Sequence, residues 1–503
     1  MDNPNELTLD PEDWTAFRRL AHEALDEAVD YIEQARARPV WSPVPEEIRS
    51  LLSESVPLEE SSLDTIYQEF KTAILPYATG NVHPRFFGWV HGSGQAGNIV
   101  AEILASAMNS NCGGREHGAI YVEREVIGWC RQLFGFPDSS SGLIVSGTSM
   151  ANLISIGVAR NALCNSVRTG GITRDIGRLT AYVSEEAHES VAKALEILGL
   201  GSCSLRKVSV GRTFAIDLAS LRTAIANDRA SGFRPFCLIG SAGTVNTGAI
   251  DDLEQLALIS AEEGVWFHID AAFGGLCMMS DALRPRLKGI EQADSVAFDF
   301  HKWAHVQYDA GCVLVRRGDL HRAAYSMRPP YLQHLSRGLG GGEDWPCEYG
   351  PELSRSFRAL KIWFALKEHG IRKLGRLIEQ NCEQAQYLAK RVSEEPSLES
   401  LAPTNLNIVC FRVSPSGLDE ATLGRLNEDI VADLQESGIA APSTTKIHGH
   451  VAIRVNITNH RTKREDLDIL VEAVLTAANA RLNLSSPFRA AEVEPQSLVV
   501  KSP

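Results

Sequence analysis

A chain of 503 residues, 44% hydrophobic and 22% charged, has the composition of a folded globular protein and is long enough for more than one domain. Its formal net charge of −14 excludes nucleic acid as a general partner, because a polyanion is repelled by a surface of its own sign. Ten cysteines without one C-x-x-C pair give no zinc or redox-motif spacing, so no metal is expected and the thiols read as free in a reducing compartment.

The amino terminus, Met1-Asp2-Asn3-Pro4, carries neither a basic nor an apolar segment. No run approaches the roughly 18 apolar residues of a membrane span. A cytoplasmic protein without a membrane partner is expected. Over residues 12–36, Leu20, Ala24, Ala28 and Ile32 recur every fourth position, which predicts an amphipathic helix. Prolines from Pro39 to Pro57 predict extended or turning chain, and a second helix is expected over about Leu63–Leu75. Such helices need a surface to pack on, for which a neighbouring subunit would serve.

From about residue 90, short apolar runs alternate with helical stretches. The runs are Leu143–Val145, Ala181–Val183, Val208–Val210, Phe236–Ile239, Val265–Ile269, Ser295–Phe298 and Cys312–Val315. Several are continuous rather than alternating, as in strands covered on both faces. With helical stretches at 189–198 and 217–228 they predict an α/β layered domain, in which ligands sit at the carboxyl ends of strands. Residues 334–352, with Gly338, Gly340, Gly341 and Gly342, form either an active-site lid or a plain connector. A smaller α/β unit follows. It has a strand at Leu406–Val413, a helix bearing Leu423, Leu426, Ile430 and Leu434 and closed by Gly438, an alternating strand from Val451 to Ile457, and a last helix at 465–482. Residues 486–503 are polar, hold three prolines and read as a tail.

Four segments carry candidate chemistry. Asp270 ends the run Val265–Ile269, where it either caps the following turn or meets a buried cation such as a protonated pyridine nitrogen. Lys302, in His301-Lys302-Trp303, follows another run; beside a histidine and a tryptophan it is either a surface lysine or a desolvated amine nucleophile. Pyridoxal 5′-phosphate needs both groups, one for its aldehyde and one for its ring nitrogen. Ser146-Gly147-Thr148-Ser149 follows a third run and opens a helical pattern, suiting either a phosphate or simple helix capping. It is not a Walker motif, since no G-K-[ST] follows. His188 follows a fourth run and could stack on an aromatic ring or face solvent.

Together these segments resemble the group II pyridoxal-phosphate-dependent amino acid decarboxylases, the aromatic-L-amino-acid and glutamate decarboxylase family. The resemblance is carried by His83–Phe87, Ser146–Leu153, Ala187-His188, Gly243-Thr244, His268–Ala272, His301–Trp303 and Ser354–Lys361, in that order. It implies a fold-type I (aspartate aminotransferase-like) homodimer. Residues 1–90 would form a dimerising arm, 91–360 a large domain with a mainly parallel seven-stranded sheet, and 361–485 a small domain. It further implies that Lys302 is the Schiff-base lysine, Asp270 the ring-nitrogen partner and His188 the stacking residue. Thr148, Ser149 and His301 fall on the phosphate side, with Thr244 and Ala272 beside the cofactor.

Three departures stand out. Asp299 occupies a place the family often gives to an asparagine near the phosphate, which an ionised aspartate would repel, so it is expected to point away or serve another role. Aromatic decarboxylases place a tyrosine on a mobile loop to protonate the substrate carbon; here the corresponding residues are Trp345-Pro346, leaving Tyr349, a few positions on, and His188 as candidate donors. Where that subgroup has large apolar residues, this chain has Asn81, Asn111 and Gly113; His91 replaces a proline and Trp89 stays aromatic, so a polar substrate pocket is expected. The implied reaction is α-decarboxylation of an L-amino acid to the amine and CO2. The runner-up couples decarboxylation to oxidative deamination and gives an aldehyde. A carbon–carbon lyase, as in the related phosphosphingolipid lyases, is weakened by the want of a membrane segment. Lys302, Asp270 and His188 speak against a cofactor-binding protein without turnover.

Overall fold

The computed structural model describes residues 7–164, 166–173, 178–327, 335–342 and 344–484. The tail expected at 486–503, and residues 334 and 343 of the glycine-rich segment, lie outside them. The seven apolar runs are the strands of one sheet: β1 (Ser141–Val145), β2 (Leu179–Ser184), β3 (Leu205–Val208), β4 (Arg234–Ser241), β5 (Trp266–Asp270), β6 (Ser295–Asp299) and β7 (Gly311–Val315). Their order is β1-β7-β6-β5-β4-β2-β3. Only β7 runs against its neighbours β1 and β6; the remaining pairs are parallel.

The continuous apolar pattern has a direct cause. Ile144, Leu238, Phe267, Ile269, Val296, Phe298, Cys312 and Leu314 join a core that includes Val126, Ile127, Cys130 and Phe134 of the helix Gly118–Phe134. The intervening residues Leu143, Val145, Ala297, Val313 and Val315 pack on the other face with Ile154 and Val158 of the helix Thr148–Leu163. Both strand faces are therefore apolar. The expected run Val208–Val210 begins where β3 ends. β3 lies at the sheet edge, where the polar Arg206 and Lys207 are tolerated and Arg206 reaches out to Asp228 at 2.9 Å.

A second sheet, β8 (Leu398–Ser400), β9 (Ile408–Val413), β10 (Ser443–Ile447) and β11 (His450–Asn456), is antiparallel in the order β10-β11-β9-β8. The inner strands β9 and β11 match the two expected strands; the edge strands β8 and β10 are short and polar and gave no apolar signal. The helix Arg358–Glu394 packs against the helices Gly97–Met108 and Gly118–Phe134 near the large sheet and against β8 and β9 of the small one, bending at Gly370 with φ 67°. The segment His83–Phe87 docks on the small sheet, where the Phe87 N–H donates to the Ala441 carbonyl and the Asn456 N–H to the Phe87 carbonyl, each at 2.9 Å.

The first expected helix is Trp14–Glu33, and it buries none of its residues within the subunit. The second begins at Leu63 as expected, then loosens after Glu69 into a wider turn over Phe70–Ile74 and a tight one over Leu75–Tyr77. All ten cysteines are free. Among the described residues no helix is long and apolar enough to cross a membrane.

Candidate active site

Because β1, β2, β4, β5 and β6 all point the same way, their carboxyl ends open on one edge of the sheet. There they surround a cleft of about 540 Å³. β1 delivers Ser146–Ser149, β2 His188 and Ser190, β4 Ser241 and Thr244, β5 Asp270 and Ala272, and β6 Asp299, His301 and Lys302. All eight residues expected to bind the cofactor thus line a single cavity.

Asp270 is 7% exposed, and its two oxygens are held from different sides. Oδ1 accepts the Ala272 N–H at 3.1 Å and Oδ2 accepts Asn152 Nδ2 at 2.9 Å. A carboxylate fixed this way is ready to face a protonated ring nitrogen, and such a cation would repay the cost of its burial. Lys302 Nζ lies 3.2 Å from Asp299 Oδ2, while Asp299 Oδ1 accepts the Thr148 N–H at 2.7 Å. Asp299 therefore does not point away. It sits between the positive end of the helix Thr148–Leu163 and the lysine amine. His301 accepts the Ala310 N–H on Nδ1 at 3.1 Å and turns Nε2 toward Asp299 at 3.5 Å; burial lowers its pKa.

The phosphate side tests whether pyridoxal phosphate fits. Gly147 leaves open the space where a Cβ would stand 3.4 Å from His301 Cε1. Thr148 Oγ1 is buried without a hydrogen-bond partner, an expensive state that a phosphate oxygen would relieve. Together with the Ser149 hydroxyl beside it at the helix start, this offers donors to an anion, while the Thr148 N–H itself is taken by Asp299 Oδ1. The amine, the carboxylate and the hydroxyls line one cleft and match the aldehyde, ring nitrogen and phosphate of the cofactor in kind.

His188 accepts the Ser190 N–H on Nδ1 at 3.1 Å, with Ser190 Oγ 2.8 Å from the same nitrogen. Thr244 turns inward, its Oγ1 accepting the Ala249 N–H at 3.1 Å. The outer wall is aromatic. His91 stacks on Trp89 at 5.8 Å and meets Tyr308 edge-on at 6.0 Å, and Tyr308 lies over His301 at 4.4 Å. Trp89 takes the left-handed backbone (φ 50°), and its carbonyl accepts Arg454 Nη1 of β11 at 2.9 Å.

Three expected residues lie outside this cleft within one subunit. Asn81 donates its side-chain N–H to the Gly92 carbonyl at 2.7 Å, and Asn111 Oδ1 accepts the N–H groups of Gly113 and Arg355 at 2.9 and 3.1 Å. Both amides hold backbone rather than lining the pocket, so the polar character expected from them is absent from this wall. Tyr349 faces a separate cleft, donating to Asp344 at 3.1 Å with its ring against His321. Sequence reasoning passed over Tyr308, Asn152, His268 and Ser190. Asn152 and His268 stand inside recognised motifs, yet only their side-chain contacts show a role; Tyr308 follows Lys302 by six positions and gave no pattern of its own.

The profile of the pyridoxal-dependent decarboxylase conserved domain matches residues 45–414. An aromatic-L-amino-acid decarboxylase of Bacillus atrophaeus is 33% identical over 90% of this chain and 93% of its own length. A phenylacetaldehyde synthase of Petunia hybrida is 29% identical over 94% of this chain and 96% of its own. In three dimensions the chain resembles an Oryza sativa TDC solved with PLP and tryptamine, with a TM-score of 0.87 and 24% identity over 95% of this chain and 100% of the other. The cleft geometry and these likenesses agree: the chain belongs to the pyridoxal-dependent decarboxylase family and is a pyridoxal-phosphate-dependent carboxy-lyase.

Proposed function

We propose that this protein removes the α-carboxylate of an aromatic L-amino acid and releases the corresponding amine. The observation that carries this reading is the wall of Trp89, His91 and Tyr308 facing the same cleft as Lys302, Asp270 and His188. A flat aromatic side chain gains offset stacking on such a wall, about 0.5–1.5 kcal/mol per ring pair beyond its burial. The names of the relatives from Bacillus and other organisms support the same substrate class.

Lys302 would supply the amine that holds the cofactor aldehyde. Thr148, Ser149 and His301 would hold the phosphate, and Thr244 and Ala272 would flank the ring. His188 would pack on the ring face, and Asp270 would keep the ring nitrogen protonated. When bound, pyridoxal phosphate supplies the electron sink for the pair released with CO2. Among the groups lining the cleft, His188 and Tyr308 are our candidates to return a proton to the substrate carbon. Lys302→Ala is expected to abolish both turnover and the visible band of the bound cofactor. A variant that keeps the band, with borohydride trapping the cofactor elsewhere, would refute the assignment.

One observation favours a second product. Trp345, at the place of the family's loop tyrosine, is 2% exposed and gives its indole N–H to the Gly341 carbonyl at 3.1 Å. With a tryptophan in place of that phenol, protonation would be slower and O2 could instead take the electron pair, the overall change being amino acid, O2 and water to aldehyde, CO2, ammonia and hydrogen peroxide. The 29% identity to a phenylacetaldehyde synthase agrees with this possibility. Stoichiometric amine without peroxide eliminates it.

A further inference from the structure

Behind Asp270 runs a buried chain of side chains that no catalytic step described above uses. The Trp266 indole Nε1 lies 2.9 Å from Ser295 Oγ, which lies 2.9 Å from His268 Nδ1. His268 Nε2 is 2.9 Å from Asn152 Oδ1. Asn152 Nδ2 then reaches two acceptors, Asp270 Oδ2 at 2.9 Å and Ser190 Oγ at 3.1 Å. Ser190 passes the chain to His188 Nδ1. Asn152, His268 and Ser295 are 0% exposed.

The ends of this chain dictate the direction of the bonds at Asn152. An indole nitrogen can only donate, and an ionised carboxylate can only accept. Asn152 must therefore turn its N–H2 toward Asp270 and its oxygen toward His268, which offers it Nε2–H. His268 Nδ1 lies 2.9 Å from Ser295 Oγ and 3.3 Å from the Ser295 carbonyl, and the Ser295 hydroxyl oxygen accepts from Trp266. The second N–H of Asn152 goes to the Ser190 oxygen. The Ser190 N–H can only donate, so His188 Nδ1 is an acceptor, its proton is on Nε2, and the Ser190 hydroxyl shares its hydrogen with the same lone pair. Both N–H groups and the oxygen of Asn152 are used, which holds that amide in one orientation.

We propose that Asn152 is the positioning residue of this site, one amide that sets both the carboxylate of Asp270 and, through the Ser190 hydroxyl, the orientation of His188. The proposal rests on the reading that these two residues grip the cofactor from its ring nitrogen and its face. Its consequence is that the edge and the face of the ring are registered to one another through a single side chain anchored on β5 and β6 by Trp266, His268 and Ser295.

The test uses the full-length protein stripped of cofactor and titrated with pyridoxal phosphate. Tryptophan fluorescence gives the dissociation constant, and visible circular dichroism of the bound cofactor reports its seating. Asn152→Leu is expected to weaken binding about 10- to 100-fold, the loss of one hydrogen bond to a charged group, and to diminish the dichroism. Ser190→Ala leaves Asp270 untouched, so it should alter the dichroism while binding stays within about 3-fold of wild type, less than half the free energy of such a bond. Should the leucine variant not fold, Asn152→Ser carries the same expectation. Unchanged affinity and dichroism in the folded Asn152 variants would overturn the positioning role. Asp270→Asn and Lys302→Ala serve as reference: if these also bind the cofactor normally, it is the underlying site assignment that fails.

Discussion

At the scale of single residues, neighbours in space outweigh neighbours in sequence. Asp299 was expected either to point away or to serve another role; it bridges the Thr148 N–H and Lys302 Nζ, which is such a role. Tyr349 and Tyr308 trade roles by the same logic. Tyr349 donates to Asp344 in another cleft, and burial beside that carboxylate raises its pKa. Tyr308 lines the cofactor cleft, with burial pushing its pKa up to about 12, so its phenol stays protonated and able to donate at neutral pH. Tyr308→Phe is accordingly expected to lower kcat about 10²-fold, within the range for a lost general acid, and Tyr349→Phe to leave kcat within about 2-fold. Steady-state CO2 release checks both. Equal small effects in the two variants would leave His188 as the donor.

At the scale of elements, two helices have apolar faces with nothing on them. The helix Gly97–Met108 exposes Val100, Ile103, Leu104 and Met108 at helical spacing, and Trp14–Glu33 exposes Trp14, Phe17, Leu25 and Val29. We propose a second copy of the chain as their cover, with residues 1–90 as the arm, 91–360 carrying the cofactor and 361–485 closing on it. Sedimentation should give twice the 54.9 kDa subunit mass, and Ile103→Asp with Leu104→Asp should halve it. A wild-type protein that sediments as one subunit would remove the proposal.

For the whole molecule, burial makes stability depend on pH. His83, His268, His321 and His460 each have a pKa lowered to about 4, chiefly by burial. Their unfolded value is 6.5, so below that pH the unfolded chain takes up protons that the native one refuses. Stability is complete above about pH 6.5 and is lost as pH falls toward 4, by up to about 3 kcal/mol per histidine. Asp251, raised by burial to about 6, opposes this: its native form gains a proton first and is favoured as pH falls from 6 to 3.8. His91, His301 and His305 are lowered by burial as well, and Glu186 and Asp294 raised by it, so seven histidines against three acids leave a net loss. The melting temperature should therefore fall between pH 6.5 and 4; a higher value at pH 5 than at pH 7.5 would contradict this balance.

The sequence by itself determined six of the seven strands of the large sheet, since continuous apolar runs report burial on both faces, while it set the polar edge strand β3 three residues too late; it also placed Asp270 at a strand end and Lys302 just after one. It also determined the cofactor, because the required groups occur in order along the chain. Only the tertiary structure decided which residues meet. Thr148 and Asp299 are 151 positions apart, and Asn152 and Asp270 are 118 apart. They touch because β1 lies beside β7 and the helix after it crosses β6 and β5. Strand order is a long-range outcome of packing that no local periodicity encodes. Nor does residue type tell which way a side chain turns: within the chain Asn81 and Asn111 hydrogen-bond to backbone, and it is Tyr308, not Tyr349, that lines the cleft of Lys302.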